Sequence, residues 1–175
     1  MALFGWKITG ELPKLRQFVV VVAPHTTAWD LAVGMLAIYA LGIQVSWMGA
    51  DWIFRLLPFL RALGGVPIDR SKKHGVVGQT LECFVEREKF VVVVTPEGSR
   101  SKRPWKSGFY HMAQGAGVPI LLVGANYRDK QIELGPVVSS EGSVEDVMDR
   151  MRPFFERFEE IEPDRFEFRL RPTKS

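Results

Sequence analysis

A chain of 175 residues, 46% hydrophobic and 25% charged, has the composition of one globular domain with a single core, which excludes a disordered chain, a collagen-like rod and a multidomain enzyme. One cysteine, Cys83, rules out an intramolecular disulfide, and no Cys/His cluster has metal-ligand spacing, so a reducing compartment and no metal are expected. The net charge of +3 hides an asymmetry: residues 1–140 carry 16 Lys/Arg against 10 Asp/Glu, or +6, and residues 141–175 carry 7 against 10, or −3.

The N-terminal run Met-Ala-Leu-Phe-Gly-Trp-Lys has no basic stretch followed by an apolar segment and a cleavage site, so a cytoplasmic location is expected. A strand is predicted at Phe18–Ala23 and a helix within 29–41. Residues 31–50 lack charged side chains and approach the length that crosses a bilayer. Their unbroken apolar part runs only from Leu31 to Ile43, before Gln44 and Ser46, which predicts a buried helix and then a strand at Gln44–Met48. A short helix within 52–62, a strand at Val66–Ile68, a helix within 75–88, a strand at Phe90–Thr95, a helix within 106–115 and a strand at Pro119–Ala125 follow. Strands alternating with helices predict an α/β fold, a single domain over 1–175 with a mainly parallel or mixed sheet flanked by helices.

Beyond residue 126 the pattern changes. Residues 127–131, Tyr-Arg-Asp-Lys-Gln, read as a turn between two short strands, and Ser143 with Asp146 reads as the capped start of a helix that Pro153 should kink or restart. Phe166, Phe168 and Leu170 alternate with charged residues, which fits a strand or a tail docked by its aromatics.

One internal echo stands out. Phe18-Val-Val-Val-Val-Ala-Pro24-His25 and Phe90-Val-Val-Val-Val-Thr-Pro96-Glu97 share a valine strand, a terminal proline and an ionisable residue after it. If both strands run parallel, His25 and Glu97 emerge at one sheet edge, and ligand crevices in open α/β sheets lie outside the carboxyl ends of strands. His25 and Asp30 stand five positions apart. With His25 in the turn ahead of a helix they could form a dyad, in which a carboxylate orients an imidazole that takes a proton from a hydroxyl. The alternative is a helix start capped by Thr26 or Thr27, with Asp30 a first-turn acid. Cys83 has no adjacent histidine and reads as packing, and His74 and His111 read as helix-start and helix-packing residues. The basic clusters Arg70/Lys72/Lys73 and Arg100/Lys102/Arg103/Lys106 suit an anionic partner, and without interleaved aromatics they give no reason to expect nucleic acid.

Four blocks occur in order: His25 with Asp30 (His-x4-Asp), Gly64-Gly-Val-Pro-Ile-Asp69-Arg70, Pro96-Glu97-Gly98-Ser99-Arg100-Ser101 and Val118-Pro119-Ile120, with Trp105-Lys106-Ser107-Gly108 after the third. Over about residues 18–124 the chain resembles the glycerolipid acyltransferase superfamily, best known from lysophosphatidic acid acyltransferase. The resemblance implies that His25 is the general base and Asp30 its orienting partner. It implies that Arg70 and Arg100 hold an acceptor phosphate, and that Glu97, Gly98 and Ser99 belong to the acceptor site. Read from the residues alone, the alternatives are a solvated basic face for the two arginines and, for Glu97, an ion pair that holds Arg100 in place, which is compatible with acceptor binding. Three positions depart from the family's usual residues: Leu122 replaces a second proline in the fourth block, Ser99 a threonine and Thr95 a phenylalanine.

The expected activity is transfer of a fatty acyl group from acyl-CoA or acyl-carrier protein to the hydroxyl of a lysophospholipid such as 1-acylglycerol 3-phosphate, without a cofactor. Lipid hydrolysis and a noncatalytic lipid or acyl-carrier binding module are the alternatives. With 24 residues ahead of His25, the membrane-docking helices found in some family members are not expected. Peripheral contact with the inner face of the cytoplasmic membrane is therefore expected from Trp47 to Leu60. The competing expectation is that Ile53, Leu56, Leu57 and Leu60 face the core.

Overall fold

Valine-rich runs without polar alternation are read as strands covered on both faces, and the computed structural model places them at the centre of the molecule. It describes residues 2–3, 5–24, 30–68, 75–98, 103–161, 163–164 and 166–172. In chain order the elements are β1 (Ala2–Leu3), β2 (Trp6–Thr9), β3 (Gln17–Ala23), α1 (Asp30–Leu41), β4 (Ser46–Ala50), α2 (Asp51–Leu56), a 3-10 turn (Pro58–Arg61), β5 (Gly65–Ile68), α3 (Gly75–Glu86), β6 (Phe90–Val94), α4 (Gly108–Ala116), β7 (Ile120–Asn126), β8 (Gln131–Val138) and α5 (Val144–Ile161). Among the described residues one eight-stranded sheet runs β1-β2-β8-β7-β3-β6-β4-β5. Neighbours from β7 to β5 are parallel, as are β2 and β8, and the β7/β8 and β1/β2 pairs are antiparallel. The mixed α/β expectation therefore holds.

Alternation along each strand sends its side chains to two different cores. Val19, Val21 and Ala23 of β3, Phe90 and Val92 of β6, and Ile120 and Leu122 of β7 meet α3, α4 and α5 on one face. Phe18 and Val20, with Leu121 and Val123, turn to the other face, where Ala37, Val33 and Leu41 of α1 pack. The α5 helix lies directly on the sheet: a Cβ at Gly124 or Gly135 would collide with the rings of Phe158 and Phe154.

Several expectations need correction. The stretch 31–50 divides into helix and strand as expected, but α1 is not buried all round, since Tyr39 is 84% exposed and Leu36 also faces outward. The strand expected at Gln44–Met48 is shifted to Ser46–Ala50, because its ladder with β5 runs from Trp47 opposite Gly65 to Ala50 opposite Ile68. Pro153 does not restart α5, which runs as one helix of 18 residues through it. An interior proline costs about 3 kcal/mol, and burial of Phe154, Phe155 and Phe158 beside it offsets that cost. The short β1 and β2 went unanticipated, although Trp6-Lys-Ile-Thr9 alternates. Four residues are too few for the pattern to stand out, and β2 is held by its ladder with β8 and an edge-on contact of Trp6 with Tyr127.

Candidate active site

Two valine strands with similar ends are neighbours here. The β3 and β6 strands pair in parallel with Phe18 opposite Val91, one residue on from the echoed Phe90. Pro24, after β3, and Pro96 and Glu97, after β6, therefore leave the sheet at the same edge. The β4 and β5 strands continue the parallel run beside β6, so the end of β5 at Ile68 belongs to that edge as well. In the sequence His25 directly follows Pro24, Arg70 follows Ile68 by two residues, and Ser99 and Arg100 follow Gly98. His25, Arg70, Ser99 and Arg100 lie outside the described residues, as do Thr26, Thr27 and His74. Asp30 is the first residue of α1, and its side chain is not among those described.

Glu97 is 3% exposed and is the one buried carboxylate among the described residues. Carboxylates are almost never fully buried unless paired, so its position at a strand end singles it out. Other buried polar side chains serve the fold. Asn126 donates to Asp129 Oδ2 at 2.9 Å and accepts from the Asp129 N–H at 3.0 Å, tying the β7/β8 turn. Ser140 donates to the Val118 carbonyl at 2.8 Å, and Thr80 to the Val76 carbonyl at 2.8 Å.

A tight turn carries Glu97. The Gly98 N–H donates to the Thr95 carbonyl at 3.1 Å, and the Lys106 N–H donates to the Pro96 carbonyl at 2.9 Å, closing the loop at its base. Gly98 has φ +65°, a left-handed conformation that glycine adopts without cost. A Cβ there would also stand 3.0 Å from Lys106 Nζ and 3.3 Å from its Cε. The Lys106 side chain therefore lies along Gly98 and brings an ammonium group to the loop. Sequence reasoning placed Lys106 in a basic cluster without giving it a site, and the aromatic-Lys-x-Gly run after the third block was the signal that could have done so.

The fourth block stands elsewhere. Val118 and Pro119 precede β7, which runs parallel to β3, so they lie at the edge opposite Glu97. Leu122 is fully buried beside Val19 and Val21, at the point where the β7/β8 register shifts between Leu121 and Val123. It fills core space. Cys83 is half-buried on α3 and packs against the core. Burial pushes its thiol pKa up, and nearby Arg87 offsets this only in part. A nucleophilic thiol needs the opposite shift. His111 is exposed on α4 with its ring 5.1 Å from that of Tyr110.

Comparison with known proteins bears on the family. The family model described as Acyltransferase matches residues 7–125. Over 146 residues the chain is 28% identical to the 1-acyl-sn-glycerol-3-phosphate acyltransferase of Escherichia coli (strain K12), covering 75% of this chain and 58% of that protein. The proteins of the same name from Haemophilus influenzae and Salmonella typhimurium are 25% and 27% identical, with 75% of this chain and 59% and 58% of those proteins covered. The chain thus spans less than two thirds of the length of these relatives.

Proposed function

This chain belongs to the acyltransferase family, and from that premise we propose that it transfers a fatty acyl group from a thioester, acyl-CoA or acyl-carrier protein, to the free hydroxyl of 1-acylglycerol 3-phosphate. The observation that carries the reading is the parallel pairing of β3 with β6, which brings the strand end before His25 and the strand end before Glu97 to one edge.

In this mechanism the neutral imidazole of His25 takes the acceptor hydroxyl proton while that oxygen attacks the thioester carbonyl. Asp30 holds the ring's tautomer and stabilises the cation that forms. Collapse of the tetrahedral adduct breaks the carbon–sulfur bond, and the imidazolium returns its proton to the leaving thiolate. Arg70 and Arg100 hold the acceptor phosphate, because guanidinium forks match its oxygens. Ser99 and the backbone at Gly98 line the same site, Lys106 adds a cation, and Glu97 orients the acceptor. The mechanism calls on no metal or cofactor. The raised pKa and packing of Cys83 favour direct transfer over an acyl-enzyme.

The proposal extends to the membrane. Among the described residues no helix is long and apolar enough to cross one. On α2 only Phe54 is buried, its ring seated over Gly49 and Gly65. Trp52 is 65% and Leu56 70% exposed, and Leu57 and Phe59 also face outward. The core-facing reading of Leu56 and Leu57 therefore fails. A patch of this composition beside exposed Arg61 suits peripheral docking on an anionic leaflet, the inner face of the cytoplasmic membrane.

Product analysis with labelled acyl-CoA and 1-acylglycerol 3-phosphate tests the activity. Transfer gives a diacyl lipid, hydrolysis gives free fatty acid, and a binding module gives neither. A folded His25→Ala variant is expected to lose transfer, and wild-type turnover in that variant would remove His25 from the mechanism.

A further inference from the structure

The family match ends at residue 125, yet the tail that follows α5 returns to the motif loop. We propose that residues 166–171 form a strap that positions the Glu97–Gly98 turn, so that the acceptor site of this chain is completed from outside the matched region. The proposal rests on the acceptor-binding role assigned above.

Trp105 is the link. Its N–H donates to the Arg169 carbonyl at 2.6 Å, and its carbonyl accepts from the Arg171 N–H at 2.8 Å. These bonds make an isolated parallel bridge between Trp105 and Leu170. The indole is 0% exposed and meets Phe168 at 4.9 Å, Phe155 at 5.0 Å and Phe109 at 5.9 Å between ring centroids, all edge-on. Its Nε1 has no hydrogen-bond partner among the described residues, so packing and the two backbone bonds hold the residue. The next residue, Lys106, closes the loop base through Pro96 and lies along Gly98. A displacement of Trp105 therefore moves Lys106 and loosens the turn that carries Glu97. Charged-ligand contacts are steep in distance, so that loosening acts on acceptor binding.

Arg171→Pro deletes the N–H donated to Trp105 and leaves Phe166 and Phe168 in place. The preceding Leu170 already lies in the extended bridge that proline requires. Arg171→Ala keeps the N–H and is the control for the exposed side chain. Loss of one such bond is expected to raise the KM for 1-acylglycerol 3-phosphate about 3- to 10-fold. The values of kcat and of the acyl-CoA KM should stay within about twofold, and Arg171→Ala should match wild type throughout.

Hydrogen exchange gives a readout independent of activity. The Gly98 and Lys106 amides should exchange faster in Arg171→Pro than in Arg171→Ala. Unchanged exchange at both amides would overturn the strap. Faster exchange with an unchanged acceptor KM would overturn its role in acceptor binding. If wild type transfers no acyl group, the function proposed above fails, and the exchange comparison still decides whether the strap holds the turn.

Discussion

Two regions of this chain are rich in tryptophan, phenylalanine and leucine, and the fold treats them in opposite ways. Around Trp105 the rings of Phe109, Phe155, Phe166 and Phe168, drawn from α4, α5 and the tail, close into a cluster of edge-on and tilted contacts. Around Trp52 the side chains of Leu56, Leu57 and Phe59 stay exposed, with Phe54 alone turned into the core. Composition does not separate them. An aromatic is buried when a second element arrives to cover it, and α5 with the tail does so for Trp105, whereas β5 is the last strand on the Trp52 side of the sheet. The closed cluster is built into the core, where it bears on stability and on the motif placement proposed above, whereas the open patch is the surface proposed for association.

The largest expected effect is on the closed side. Phe155→Ala empties a fully buried site whose ring lies 5.0 Å from Trp105 and stacks on Phe168 at 5.7 Å. It should cost about 3–5 kcal/mol, or about 6–20 °C in Tm by circular dichroism. A loss below about 1 kcal/mol would mean that the cluster is not the core of this half.

A smaller effect is expected at the start of α5. The Ser143 hydroxyl accepts from the Asp146 N–H at 3.1 Å, and Asp146 Oδ2 accepts from the Ser143 hydroxyl at 2.7 Å and from its N–H at 2.8 Å. Ser143→Ala should cost about 1 kcal/mol, so the cap matters less than the aromatic face. The Ser143 hydroxyl, then the Ser143 N–H, hold the Asp146 carboxyl below its ordinary value of 3.8. Because the folded value is the lower one, this stabilisation is present above pH 3.8 and is lost as pH falls through the folded value. The gap between the melting curves of wild type and Ser143→Ala should therefore narrow at acid pH to what the Asp146 N–H bond to the Ser143 hydroxyl contributes, and a constant gap would remove the carboxylate from the cap.

The smallest stability effect and the clearest contrast are expected at the open patch. Trp52→Ala should change stability by no more than about 0.5 kcal/mol, while reducing sedimentation with vesicles that contain phosphatidylglycerol. Wild type should be released from those vesicles by salt, as charge-assisted docking requires. If wild type fails to bind at low salt, the patch is not a lipid-docking surface.

The sequence reading also differed between these regions. The capped start of α5 was legible because Ser143 and Asp146 satisfy each other locally, within one helical turn. The alternation in the tail fits strand and docked aromatics alike, since Phe166 and Phe168 find their partners on α5 and at Trp105. The spacing of Leu56 and Leu57 fits a lipid-facing or a core-facing surface, because helical spacing fixes which residues share a face and not what that face meets. At the candidate site, the echo of the two valine strands signalled a common edge. The alongside placement of Lys106 and Gly98, by contrast, depends on a loop closed by backbone bonds between residues ten positions apart, Pro96 and Lys106.

By itself the sequence determined the alternation of strands and helices, the motif order and the chemistry its residues can perform, because periodicity, capping and side-chain pKa are properties of short segments. Only the tertiary structure decided that β3 lies between β6 and β7, that the fourth block stands at the far edge, and that residues 166–171 close over Trp105. Strand order and tail docking are set by which distant apolar surfaces exclude water together, and no local pattern carries that information.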